Sequence, residues 1–279
     1  MFYSVHIEKL QKLIDYLYDL KDFVFRGQNN SEWELCPKLD RMIKNSNKSY
    51  IEKWYIEEQI LEKFQKNASL YLEKLPDYND YYSWFSIIQH YGGPTRLLDF
   101  SYSPFIAMFF SVYDYSVSND FSLWAINKEL LLKKIAQRNN FNYLDLGFKD
   151  FKYKTTEIFN ETVFDRNIPK VNSMLLLEQR INHQRIAIQQ GLFLSNLDNM
   201  QEFYECLKNM LNKGKSYEEI EFDDIAKMNV NDIGLIKFNI DNKLKAEIIS
   251  KLYKMNITAE VLFPGLEGFV RRLNFTIFE

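Results

Sequence analysis

Three short stretches of this chain hold the residue types that bind an anionic small molecule carrying a flat ring. The first is Phe23-Val24-Phe25-Arg26, which runs into a polar turn at Gly27 to Ser31. The second runs from His90 to Ser103 and the third from Arg185 to Phe193. Each reads as a strand with an oily side and a polar side, because residues two apart in a strand share a face. Phe23 and Phe25 face one way, Val24 and Arg26 the other. Over Thr95 to Ser101, the residues Thr95, Asp99 and Ser101 share a face, and Arg96 lies opposite with Leu98 and Phe100. Over Arg185 to Leu194, the apolar side carries Ile186, Ile188, Leu192 and Leu194 with Gln190, and the other side carries Arg185, Gln189 and Gly191. If the three polar sides converge, they make a pocket of arginine, amide, hydroxyl and carboxylate. Arginine offers a rigid fork of donors matched to phosphate, and Asp99 suits a ribose hydroxyl or the holding of an arginine.

Structural roles compete for the same residues. Arg26 can pair with Asp99, or Asp99 can form a buried ion pair with Arg96 that fixes a turn. His90 can cap the helix that ends beside Gly92-Gly93, and Gln189 and Gln190 can be satisfied amides at a strand edge. His6 falls in the first helix and His183 in a polar turn, both without a role, and Tyr81-Tyr82 and Phe109-Phe110 read as core.

The elements around these stretches follow from periodicity. Residues 1–20 read as an N-terminal amphipathic helix, with Leu10, Leu13, Ile14, Leu17 and Leu20 at helical spacing over 6–20. Residues 50–74 read as a long helix with Ile56, Ile60, Leu61, Phe64 and Leu70 on one face and its charges on a solvated face. A helix over 80–90 stops at Gly92-Gly93-Pro94, residues that tolerate left-handed dihedrals followed by one that cannot extend a helix. Ser103 at the N-cap and Pro104 at the first position open an apolar, central helix. Its amino end offers unpaired N–H groups to an anion. Strands over 121–126 and 233–240 and helices over 128–137, 200–213 and 243–254 follow, then a short link over 257–263 and a terminal helix; 138–180 has no clear pattern. The irregular alternation favours α+β over a regular parallel sheet.

The bulk numbers agree with one folded unit. The chain has 279 residues, 46% of them hydrophobic, and 23 Phe and 18 Tyr against nine Gly exclude a disordered chain. A net charge of −3 and the lack of a basic block disfavour bulk nucleic-acid binding. Cys36 and Cys206 show no metal spacing and read as reduced thiols of a cytoplasmic protein. The residues from Met1 to Lys9 do not read as a signal peptide, and no apolar run approaches the ~20 residues of a membrane span, so no membrane partner is expected. Three scattered histidines give no zinc site, and no metal is expected. Serine-hydrolase, P-loop and dinucleotide-fold signatures are missing.

At the same three stretches the chain resembles the FRG-domain family, named for its Phe-Arg-Gly motif. That motif stands here as Phe25-Arg26-Gly27, followed by Gln28, Trp33, Leu35-Cys36-Pro37 and Arg41. A second runs from Gln89-His90-Tyr91-Gly92-Gly93-Pro94-Thr95-Arg96-Leu97-Leu98-Asp99-Phe100-Ser101 to Ser103-Pro104 and Ala107. A third is Arg185 with Gln189-Gln190-Gly191-Leu192-Phe193, and Leu262-Phe263-Pro264-Gly265-Leu266 with Gly268 looks like the C-terminal signature. The resemblance covers about residues 20–270 and implies a single FRG-type domain over 1–279, of a family met in bacterial and phage settings.

More distantly, the chain is similar to ADP-ribosyltransferases. Arg26-Gly27 is similar to their arginine-bearing first strand, and Asp99-Phe100-Ser101-Tyr102-Ser103-Pro104 to their Ser-Thr-Ser strand and proline-led helix. The fold this implies is α+β, a split, mostly antiparallel sheet surrounded by helices. The ligand it implies is NAD or a related nucleotide, with NAD as a candidate substrate and a protein or nucleic acid as the target of modification. The implied roles make Arg26, Ser101 and Gln189 catalytic, with Gln189 where the transferases carry a glutamate. Gln28, His90, Tyr91, Thr95, Arg96, Asp99, Ser103 and Arg185 would bind ligand, with Asp99 at the nicotinamide end and His90 or Tyr91 at the adenosine side. A neutral amide supports a cationic transition state far less than a glutamate, so binding without transfer follows as one outcome. The readings are therefore an ADP-ribosyltransferase-like toxin or anti-phage effector, a non-catalytic nucleotide sensor, or a metal-dependent hydrolase or nuclease.

Overall fold

The computed structural model of the protein describes residues 1–114, 118–141, 148–165, 171–178 and 184–275. Among them, eight strands form one sheet: β1 (Phe2–Ile7), β2 (Phe23–Gln28), β3 (Leu98–Ser101), β4 (Phe121–Asn127), β5 (Met174–Leu177), β6 (Gly191–Asn196), β7 (Glu218–Ile220) and β8 (Leu235–Ile240). Thirteen helices surround it: α1 (Leu10–Leu17), α2 (Lys38–Lys44), α3 (Tyr50–Ala68), α4 (Tyr81–His90), α5 (Pro104–Val112), α6 (Lys128–Arg138), α7 (Phe148–Thr162), α8 (Gln184–Ile188), α9 (Phe203–Asn212), α10 (Phe222–Ile225), α11 (Lys245–Lys254), α12 (Ala259–Leu262) and α13 (Leu266–Leu273).

The strand order is β5-β6-β3-β2-β4-β8-β1-β7. β1 runs parallel to both of its neighbours, β7 and β8, while the pairs from β8 across to β5 are antiparallel. The α+β class holds, but the sheet is mixed and open, not the split, mostly antiparallel sheet that the resemblance implies. The cause lies at the amino end, where Phe2–Ile7 is a strand and only Leu10–Leu17 is helical. His6 therefore sits on β1, with its Nε2 3.1 Å from Asp241 Oδ1, and not in the helix. A six-residue segment forms a strand here because β8, more than 200 residues later, offers it an edge. His183 lies outside the described residues.

Strand alternation sorts two cores onto the two faces. Val24, Leu98, Phe100 and Trp124 pack with apolar side chains of α4, α6, α7 and α9. Phe23, Phe25, Leu123 and Phe238 pack with those of α1, α5, α11 and α12. This places Val24 and Phe25 on opposite faces, as their spacing requires. α5 opens as its sequence predicts, the Ser103 hydroxyl accepting the Ile106 N–H at 3.3 Å with Pro104 at the first position. It crosses β2 so closely that a Cβ on Gly27 would lie 1.9 Å from the Ala107 carbonyl oxygen.

The long helix departs from its expected pattern. α3 ends at Ala68, and Leu70 lies beyond it, 73% exposed. Two of its charges, Lys53 and Glu57, are fully buried instead of solvated. Lys53 Nζ lies 2.6 Å from Asp40 Oδ1. Glu57 takes Arg96, whose Nε is 2.9 Å from each carboxylate oxygen. Buried charges persist only when paired in this way.

Both cysteines are buried and unbridged. Burial pushes the Cys36 thiol up to about 11 and the Cys206 thiol up to about 12. Thiolate is the reactive form, so in neutral buffer neither residue of the native protein is expected to be alkylated by iodoacetamide. Both are expected to react after unfolding in guanidinium, and intact-mass spectrometry distinguishes the two states.

Candidate functional site

The site opens where the sheet comes apart. β2 and β3 share a single registered pair, Phe25 with Ser101. An antiparallel ladder would continue with Arg26 opposite Phe100 and Gly27 opposite Asp99, but no such pairs form. All four residues line a cavity of about 560 Å³. The Arg26 side chain spans the gap, Nη1 donating to the Asp99 backbone carbonyl at 2.7 Å. That bond satisfies a carbonyl on the side where the ladder has ended, as a backbone acceptor requires.

Charge is concentrated on the wall of this cavity. Arg26, Arg41, Asp99 and Arg185 all line it. Arg26 is 19% exposed in its side chain, and its Nη1 lies 3.8 Å from Asp99 Oδ2. Its Nε is buried with no partner among the described residues. Burial pulls the Arg26 guanidinium down from its ordinary value; Asp99 pushes it back up and Arg41 pulls it down further. Burial likewise pulls Arg185 down, against Asp99. Both remain cations at neutral pH, since a guanidinium does not titrate there. Arg41 is held by Nη1 donating to the Cys36 carbonyl at 2.5 Å. Trp33, Phe110 and Tyr113 add aromatic surface, Trp33 being 52% exposed.

A second cavity of about 340 Å³ adjoins the first, and Arg185 lines both. His90, Tyr91, Lys74 and Glu267 share its wall with Phe263. The Arg185 guanidinium lies 4.6 Å from the Phe263 ring centre, and Arg271 lies at the same distance. Two cation–π contacts thus hold the edge between the cavities.

The three stretches meet at the larger cavity, but not by strand alternation: Phe25 pairs with Ser101, which puts Asp99 and Ser101 on the Phe25 face and Arg26 on the Val24 face, and the residues meet where the ladder breaks. Two of the stretches are also not strands throughout. Residues 95–97 precede β3, and Gln184–Ile188 is a helical turn instead of the start of a strand. The turn closes with the Gln189 N–H on the Arg185 carbonyl at 2.9 Å and Gln190 in the left-handed region at φ 48°. Arg185 and Gln189 still reach one cavity, because residues four apart share a helix face as they share a strand face.

Of the residues singled out in the sequence, Arg26, Gln28, Asp99, Ser101, Arg185 and Gln189 line the larger cavity, and His90 and Tyr91 line the smaller. Three stand apart from both. Arg96 is fully buried and turned to Glu57, so of the two pairings read for Asp99 the one with Arg96 does not form and the one with Arg26 does. Thr95 is buried behind Gln89, and Ser103 caps α5. The flank of α5, at Ala107 and Phe110, faces the cavity, where the sequence reading expects its amino end.

Two residues given catalytic roles are engaged with the scaffold. The Ser101 hydroxyl donates to the Gln189 backbone carbonyl at 2.8 Å and accepts the Ser103 N–H at 3.0 Å. The Gln189 amide donates to the Leu262 carbonyl at 2.9 Å. Gln28 bridges Trp124, whose indole N–H donates to its Oε1 at 2.6 Å, and the Glu34 carbonyl.

Sequence reasoning gave no role to Trp33, Arg41, Gln89 or Tyr113, and read Phe110 as core although it lines the cavity. Trp33, Arg41 and Gln89 stand inside the quoted motifs, which was the available signal. Phe110 and Tyr113 sit on an apolar helix, where nothing local separates a core aromatic from one that faces a cavity. Among the described residues, no group of three or more His, Cys, Asp or Glu is placed to hold a metal ion. No helix among them is long and apolar enough to cross a membrane.

Residues 21–120 match the model of the FRG domain. The match spans β2 to α5 and so contains Arg26, Arg41, Gln89 and Asp99, whereas Arg185 and Gln189 lie beyond it. No curated protein and no solved structure matches the chain.

Proposed function

We propose, with the FRG domain at residues 21–120 as premise, that the protein binds NAD or a related nucleotide in the β2–β3 gap. On this reading it acts in the cytoplasm as an ADP-ribosyltransferase-like effector, a toxin or anti-phage protein. The observation that carries the reading is the placement of Arg26: a mostly buried guanidinium whose Nε has no partner among the described residues, sharing its wall with Arg41 and Arg185. Arg41 raises the cost of the Arg26 charge and Asp99 offsets part of it, and an anion bound between the guanidinium groups lowers it further. Phosphate oxygens fit the guanidinium fork. The cavity volume falls within the ~300–1,000 Å³ of small-molecule sites, and Trp33, Phe110 and Tyr113 offer faces to a ring. The adjoining cavity, reached past Arg185, takes the second ring end at His90 and Tyr91.

Isothermal titration with NAD and an NAD-consumption assay test this reading. The wild type is expected to bind, and Arg26→Ala to bind about 30-fold more weakly, the order expected for losing charged hydrogen bonds. Arg26→Lys is expected to fall between them, since it keeps the charge and loses the fork. A wild type that does not bind NAD overturns the reading.

The engagement of Ser101 and Gln189 with the scaffold favours a second reading, a sensor that binds nucleotide without turning it over and signals to a partner. Binding without consumption, together with toxicity unaltered by Gln189→Ala, would support it.

A further inference from the structure

We infer that Asp99, oriented by Gln89, is the carboxylate that supports cleavage of the nucleotide, and that Gln189 and Ser101 hold the scaffold beneath it. The inference rests on the NAD reading above.

A reaction that breaks a ribose-to-ring bond builds positive charge on the ribose carbon, and a carboxylate held beside it stabilises that charge. Gln189 is neutral and its amide is taken by Leu262. The Ser101 hydroxyl already makes both the donor and the acceptor bond noted above. Asp99 differs from both. Its side chain is 57% exposed while lining the cavity, and its charge acts on both Arg26 and Arg185.

A chain of hydrogen bonds sets its direction. The Thr95 hydroxyl oxygen accepts the Leu97 N–H at 3.2 Å, so its one proton is left to donate to Gln89 Oε1, 2.6 Å away. The amide nitrogen must then face the other way, and it donates to Asp99 Oδ2 at 2.8 Å. A carboxylate accepts only, so the Asp99 end sets the amide orientation, and the Thr95 hydroxyl donates to the oxygen this leaves facing it. Thr95 is fully buried, which anchors the relay in the core. Asp99 Oδ2 is held by the Gln89 amide. Asp114 also lines the wall, on the α5 side, outside this relay.

In the step this arrangement serves, the bond from ribose C1′ to the nicotinamide nitrogen breaks and its electron pair moves onto the ring nitrogen. The oxygen of water, or of a target hydroxyl, bonds to C1′. Its proton passes to Asp99 and from there to solvent. With water, the products are nicotinamide, ADP-ribose and a proton. Asp99 is the catalytic residue in this scheme; Gln89 is a positioning residue and Thr95 fixes its amide.

The test follows nicotinamide release by chromatography and NAD binding by titration, with the thermal midpoint as a control for folding. Asp99→Asn is expected to bind NAD within about threefold of wild type and to release nicotinamide about 100-fold more slowly. Asp99→Glu is expected to recover part of the rate, which a purely structural role would not give. Gln89→Met is expected to lower kcat about tenfold with KM held within about twofold, the split of a group that acts only in the transition state. The double variant Asp99→Asn, Gln189→Glu is expected to stay as slow as Asp99→Asn. An Asp99→Asn enzyme as fast as wild type overturns the inference, and so does recovery of the rate by Gln189→Glu. A wild type that binds NAD without releasing nicotinamide also overturns it while leaving the binding reading intact. A wild type that fails to bind NAD overturns the reading beneath it.

Discussion

Replacing Arg96 with methionine is expected to lower the stability of the folded chain by about 3–5 kcal/mol, the cost of leaving one member of a buried ion pair alone. Natural domains are stable by only ~5–15 kcal/mol, so this loss is a large share of the whole margin against unfolding. Arg96 and Glu57 are both fully buried. Arg96 also donates to the Leu197 carbonyl at 3.1 Å and lies 5.9 Å from the Phe159 ring centre. Glu57 takes a further bond from Asn199 Nδ2 at 2.6 Å. Removing the guanidinium strands a carboxylate with one amide for company and frees three segments from one another: α3, the residues before β3, and the link from β6 to α9. Urea unfolding reads the loss as a lower midpoint. Glu57→Gln is expected to cost a similar amount, and the double variant Arg96→Met, Glu57→Leu to recover most of the loss, because it removes both charges together. A single variant as stable as wild type would show that the pair does not hold the fold.

The second large effect is expected from Gly27→Ala, at about 3 kcal/mol, the upper part of the range for overpacking a core. The added Cβ would stand 1.9 Å from the Ala107 carbonyl oxygen and 2.6 Å from the Ser111 nitrogen. Both are backbone atoms of α5, so no side chain can rotate away and the helix itself must shift. α5 forms one wall of the cavity through Ala107 and Phe110, and NAD binding is therefore expected to weaken along with stability. Gly92 gives a contrast. Its backbone is left-handed at φ 75°, with open space where a Cβ would stand. Gly92→Ala is strained only by the dihedral, a cost of about 1 kcal/mol. Denaturation of the two variants side by side separates a glycine needed for close approach from one needed for its turn.

Much of the site was legible because its geometry is local. The alternation of Phe23, Val24, Phe25 and Arg26 is a property of any half-buried strand, and it assigned the faces of β2 before any partner strand was known. Ser103 and Pro104 marked the start of α5, and Gly92-Gly93-Pro94 the end of α4, through dihedral and capping preferences that need no tertiary contact. The reading of Arg185 and Gln189 put them with Arg26 through the wrong element, since a spacing of four serves helix and strand alike. The parallel edge strand β1 was not legible. Phe2 to Ile7 becomes a strand only because β8 receives it, and the pairing of distant edges leaves no trace in a short window of sequence.

Apart from Arg26 with Asp99, which the sequence offered as one alternative, pairing among charges was decided by the tertiary structure. Arg96 stands three residues from Asp99 in the chain, yet its partner is Glu57, 39 residues away. The Arg26 guanidinium bonds the carbonyl of a residue 73 positions on, across a gap in a ladder that the sequence could not show to be broken. Local pattern records which side of an element avoids water, because apolar burial is non-directional and follows periodicity. Which charge neutralises which depends on distance and dielectric once the elements have packed. The chain by itself therefore marked three stretches carrying arginine, aspartate and amide, and the folded structure decided that they line one cavity and which of them bind the scaffold.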